Sequence, residues 1–166
     1  MTGDTWGVSE IHVRDARAAD GPVLDRIFRR ASLGNAGDRE ALLARPDVLR
    51  LADDLIGRGR TRVAVVAGDT VVGFASTSRS SADTLELDDL FVDPDWQRHG
   101  AARQLIAHIV VEAAADGVVR IDVTANDHAL AFYRDAGFEE DGRVRTLFGE
   151  GNRMHFDVTE RPANAR

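Results

Sequence analysis

The chain has 166 residues, 43% of them hydrophobic, a formal net charge of -7 and 0 cysteines. That length suits one domain with a core large enough to need no disulfide or structural metal, and the missing thiols exclude a thiolate nucleophile, a zinc-thiolate site and an iron-sulfur cluster. The acidic balance argues against duplex DNA as the main partner, because phosphate backbones need clustered cations, and suits a cationic substrate better. All 21 basic residues are arginine, which reads as the bias of a GC-rich bacterial genome and removes lysine as a Schiff-base catalyst. No apolar run approaches the roughly 18 residues of a membrane span, and the start from Met1 to Trp6 lacks the basic, then apolar, pattern of a signal peptide. A cytoplasmic protein without a membrane partner is expected.

One domain over residues 1–166 is expected, with its core at 10–158 and frayed ends at 1–9 and 160–166. Residues 11–14 read as a first strand. Asp20, Gly21 and Pro22 then read as a helix start, with Asp20 as cap and Leu24, Ile27, Phe28 and Ala31 at helical spacing. The polar, glycine-bearing stretch 32–45 predicts a loop, and Pro46 opens a second predicted helix that stops at 57–59. The period then changes. Residues 62–67 and 71–78, joined at Gly68 and Asp69, predict a hairpin, and 84–92 predicts a strand ended by Asp93 and Pro94. A helix over 100–115, a strand over 118–124, a helix over 127–136 and two strands flanking 149–151 complete an α/β fold around a mixed sheet.

The richest segment is the strand 84–92 with the turn after it: Gln97, Arg98, His99, Gly100, Ala101, Ala102 and Arg103. A strand that leads through a short loop into a helix aims the helix's first free N–H groups past the strand end, where they favour an anion. Gly100 lets backbone approach a phosphate, Ala102 is nearly as small, and Arg98, His99 and Arg103 add local positive charge. On these residues alone an ordinary glycine-bearing turn stands equal to an anion seat. A Walker loop needs a lysine and the dinucleotide fingerprint needs three glycines, so neither fits.

Gln97, Gly100 and Ala102 match the signature of the GNAT superfamily of N-acetyltransferases, which is Arg or Gln, two residues, Gly, one residue, then Gly or Ala after a strand. The segment 123–138, with Asn126, Phe132, Tyr133, Gly137 and Phe138, resembles the same family's strand, asparagine and Phe-Tyr helix. The resemblance covers residues 61–158 by motif and the first 60 by element order. It implies a single-domain mixed, mostly antiparallel sheet flanked by helices, with acetyl-CoA as acyl donor and no metal. It also implies that the main chain of Leu90, Phe91 and Val92 pairs with the pantetheine arm, that amides from Arg98 to Arg103 hold the diphosphate, and that a backbone N–H near Val92 meets the acetyl oxygen. Ala102 in place of the commoner glycine leaves less room beside that diphosphate.

Tyr133 matches the position of a general acid for the departing thiolate, and the competing reading is an aromatic that packs beside Phe132. Asn126 is a natural helix cap and, by resemblance, a cofactor contact. For the base, Glu86 and Asp88 alternate on one strand face, with Glu86 first and Asp88 second, and Asp89 should point away unless a bulge intervenes. His128 and Asp122 stand behind them as helpers. The resemblance therefore implies acetyl transfer to an amine, of a small molecule first and of a protein second, and admits a homodimer. The alternative from another class is an acyl-CoA sensor without turnover.

Overall fold

Seven strands form one sheet in the computed structural model, which describes residues 10–34, 36–45, 55–57, 60–147 and 149–160. They are β1 (His12–Asp15), β2 (Thr61–Val66), β3 (Thr70–Arg79), β4 (Thr84–Val92), β5 (Arg120–Ala125), β6 (Glu139–Thr146) and β7 (Gly149–Asp157), in the order β1-β2-β3-β4-β5-β7-β6. The helices are α1 (Gly21–Leu33), α2 (Ala36–Leu43), α3 (Ala101–Ala115) and α4 (Leu130–Asp135). Only β4 and β5 run parallel, as the α3 crossover between them requires, and every other neighbouring pair is antiparallel.

Alternation along the strands sorts two cores onto the two faces. Leu85 and Leu87 of β4 and Ile121, Val123 and Ala125 of β5 face α3, whose Leu105, Ile106 and Ile109 recur at helical spacing, and Tyr133 and Phe138 join this cluster. On the other face Val63, Val65 and Phe74 pack against Leu24 and Ile27 of α1, and Phe28 meets Phe91 edge-on at 5.0 Å. Each such side chain withdrawn from water contributes about 1.5–3 kcal/mol.

Three local expectations change. Residues 36–43 form a helix where the sequence reads as a loop, because among its residues of described burial, 39–43, only Leu42 is buried, and one apolar contact leaves no visible period. Asp20 does not cap α1 with its side chain: its carboxylate accepts from the Arg17 N–H at 2.7 Å and from Arg14 at 2.8 and 3.1 Å. The second predicted helix falls mostly on 46–54, outside the described residues, and 55–57 is a turn. No helix among the described residues is long and apolar enough to cross a membrane.

Candidate active site

The strands β4 and β5 separate part-way along. Their register runs from Thr84 opposite Arg120 to Leu87 opposite Val123 and stops, although β4 continues to Val92 and β5 to Ala125. Residues 88–92 keep β3 on one side, and on the other their main chain lies beside no described strand. Unpaired main-chain donors and acceptors in such a split suit an extended ligand that pairs as a strand would. Leu90 and Val92 are anchored on the α3 side and Phe91 on the α1 side, so the open edge is packed on both faces of the sheet.

A bulge accompanies the split. Ser76 lies opposite Asp89 and Thr77 opposite Leu87, so Asp88 is the extra residue. Leu85 and Leu87 and then, three positions later, Leu90 all face α3, which shows the phase jump directly. The expectation that Glu86 and Asp88 share a face is thereby corrected: Asp89 shares the α1 face with Glu86 and Phe91, and Asp88 stands exposed at the bulge.

Past the split, Asp93 organises the turn into α3. Its side chain accepts from the Asp95 N–H at 2.9 Å, its own N–H donates to the Val72 carbonyl at 2.8 Å, and Arg30 donates to both of its oxygens. Trp96 lies at a steep tilt to His99, ring centroids 5.5 Å apart, and the His99 Nδ1 contacts the Gln97 carbonyl at 2.9 Å. Arg98 and Gly100 then take left-handed conformations, at φ 64° and 90°. No side chain caps α3. Gln104 bonds back to the Gly100 carbonyl at 3.0 Å, and the N–H groups of Ala101, Ala102 and Arg103 have no partner among the described residues. A Cβ added to Gly100 would meet nothing within 4 Å, so the approach to these donors is open. Gln97, Arg98, His99 and Arg103 are exposed around it, and Ala101 is buried beneath. From Arg103 a cavity of about 490 Å³ runs between α3 and the end of α4, with Ile106, Val110 and Phe156 as apolar wall and Asp135, Glu139, His155 and Asp157 as polar wall. Clustered main-chain donors, local cations and an adjoining cavity of mixed apolar and polar walls suit a phosphorylated ligand with a long arm.

Tyr133 lies on the α3 face and is only 6% exposed, edge-on to Phe132 and Phe138. Burial pushes its phenol well above the ordinary value, and among the described residues its hydroxyl has no hydrogen-bond partner. The side chain of Asn126 accepts from the Ala129 N–H at 2.9 Å and caps the turn into α4, as expected.

The carboxylates differ sharply in their surroundings. Glu86 takes both arms of Arg153, at 2.5 and 2.7 Å, and Arg153 also reaches Asp122 at 3.5 Å and Thr124 at 3.1 Å. A carboxylate in such a fork has both oxygens occupied by guanidinium donors. Asp89 is half-buried and accepts from the Ser76 hydroxyl. Burial raises its carboxyl above the ordinary value, the Ser76 hydrogen bond opposes that rise, and neighbouring Asp88 adds to it. His128 is exposed and apart from this group. No cluster of His, Asp or Glu suited to a metal occurs among the described residues.

The model of the acetyltransferase (GNAT) domain matches residues 50–150, which include the split, the turn and Tyr133. The chain belongs to the GNAT family. It is 37% identical over 86 residues to the N-alpha-acetyltransferase RimI of Mycobacterium tuberculosis, a match spanning 49% of this chain and 54% of that one, so it covers about half of RimI. It is 29% identical over 133 residues to the peptidyl-lysine N-acetyltransferase YjaB of Salmonella typhimurium, spanning 80% of this chain and 86% of YjaB. In fold it resembles the PaiA N-acetyltransferase of Thermoplasma acidophilum solved with coenzyme A, with a TM-score of 0.71 at 16% identity over 89% of this chain and 99% of that one. The mixed, mostly antiparallel sheet flanked by helices is the GNAT architecture expected from the sequence.

Proposed function

We propose that this GNAT protein transfers an acetyl group from acetyl-CoA to an amine. The observation that carries the reading is the conjunction of the β4–β5 split with the capless, glycine-led start of α3 beside it. The donors fit the cofactor: the N–H groups of Ala101, Ala102 and Arg103 suit its diphosphate, with Gln97, Arg98 and His99 around the turn. The open edge of Leu90, Phe91 and Val92 suits the amide-bearing pantetheine arm, and Asn126 borders the other strand of the split. An N–H near Val92 would steady the acetyl oxygen as it becomes anionic.

The chain's own part in the chemistry is to exclude water, orient the two substrates and move protons. Tyr133 would donate its phenol proton to the departing thiolate, and its high proton affinity keeps it in the acid form across the ordinary pH range. Glu86, locked by Arg153, would shape the acceptor side together with Asp122, and Asp88 would add negative charge at the bulge. An acidic acceptor side suits an ammonium.

The first acceptor reading is a small-molecule amine. A protein amine is the second, favoured by the acetyltransferase activities for which RimI and YjaB are named. Mixing the protein with acetyl-CoA and a panel holding spermidine, an alanine-ended peptide and a lysine peptide tests both, by following release of free thiol. Amine-dependent release supports the enzyme, and the responding amine names the class. Tight acetyl-CoA binding without release would instead identify a sensor.

A further inference from the structure

We propose that Asp89 is the base that takes the acceptor's proton, an inference that rests on the acetyl-transfer reading above. Three observations on the β4 strand carry it. The bulge at Asp88 turns Asp89 onto the α1 face, whereas Tyr133 lies in the cluster on the α3 face, so acid and base address the split from opposite sides of the sheet. Asp89 immediately precedes Leu90, at the start of the open edge. Of the carboxylates on that face, Glu86 and Asp122 share Arg153, while Asp89 is held by one neutral hydroxyl, that of Ser76.

The charged surroundings agree with a proton acceptor. β3 contributes only the Ser76 hydroxyl opposite Asp89, and β4 contributes Asp88 and the paired Glu86. On α1, which packs on this face, Arg30 is engaged by Asp93 and Asp95. Among the described residues no cation lies beside this half-buried carboxylate, and burial raises its proton affinity above that of an ordinary aspartate, which suits a proton acceptor. In the step itself Asp89 removes one proton from the ammonium, and the freed nitrogen pair forms the N–C bond to the acetyl carbon. The C–S bond breaks toward sulfur, and Tyr133 protonates the thiolate. The second ammonium proton leaves the new amide nitrogen for water, water restores the phenol, and Asp89 releases its proton to solvent. One proton is released per acetyl group transferred.

The test uses the whole chain with acetyl-CoA and whichever of spermidine, the alanine-ended peptide or the lysine peptide the wild type acetylates best. Asp89→Asn should lower kcat at neutral pH about a hundredfold or more, leave acetyl-CoA affinity by calorimetry within a few fold, and recover as pH rises toward the amine's own pKa. Glu86→Gln should cost less. Ser76→Ala, which keeps the volume of the site, should move the acid limb of wild-type activity to higher pH, because it removes the hydrogen bond that favours ionised Asp89. It serves also if Asp89→Asn does not fold. Near-normal turnover of folded Asp89→Asn, a larger loss from Glu86→Gln, or an unmoved acid limb in Ser76→Ala would each overturn the assignment. Absence of any amine-dependent thiol release in the wild type would instead remove the acetyl-transfer reading on which it rests.

Discussion

Arg30 of α1 donates to both carboxylate oxygens of Asp93, at 2.8 and 2.7 Å, and so ties the helix on one face of the sheet to the turn that feeds α3. Asp93 is only 6% exposed and also caps that turn through the Asp95 N–H. Replacing Asp93 with Ala should therefore destabilise the fold by about 1–2 kcal/mol, the usual loss of a good cap. It should also weaken acetyl-CoA binding several-fold. Urea unfolding and calorimetry on the same preparation check both.

Tyr133→Phe separates catalysis from packing at one atom. The ring contacts to Phe132 and Phe138 survive, and no described partner of the hydroxyl is lost, so stability should change by less than about 1 kcal/mol. Turnover should fall about a hundredfold or more, with acetyl-CoA affinity nearly unchanged. Because burial raises the phenol, the alkaline limb of the wild-type rate profile should lie above the ordinary tyrosine value of about 10. Retained turnover would make Tyr133 a packing residue.

Asp20 gives a stability prediction with a definite sign. Hydrogen bonding from Arg14 lowers its carboxyl below the ordinary value, despite partial burial. A native value below the unfolded one means that the contribution is fully present above the unfolded value, near about 3.9, and is lost as pH falls through the lower native one. Asp20→Asn should cost about 1.5–3 kcal/mol at neutral pH, the range for hydrogen bonds to charged groups, and the difference from wild type should shrink at strongly acid pH. Thermal melts across that range measure it.

Much of this site was legible in the sequence, because its parts are local. The segment from Gln97 to Ala102 reads as a glycine-bearing strand-to-helix turn from glycine placement and small residues, and the Asn126 cap reads from one asparagine before a helical period. The bulge was legible too, but only from spacing: Leu85 and Leu87 alternate, then Leu90 and Val92 resume one position out of phase. Following the carboxylates in that strand, without the leucines, puts Asp88 on the wrong face. The fork from Arg153 to Glu86 joins residues 67 apart, and no local signal announces such a partner. The short helix at 36–43 hides for a related reason, since Leu42 is the one buried side chain among its residues 39–43.

The account rests most heavily on the diphosphate lying against the start of α3, and calorimetry of acetyl-CoA with wild type and Gly100→Val tests this most directly. Valine cannot easily adopt φ 90°, and its side chain would fill the open approach to the N–H groups of 101–103. The account predicts one-to-one binding by wild type and a loss of at least about tenfold, or about 1.4 kcal/mol, in Gly100→Val that still unfolds cooperatively. Equal affinity in the two folded proteins would contradict it.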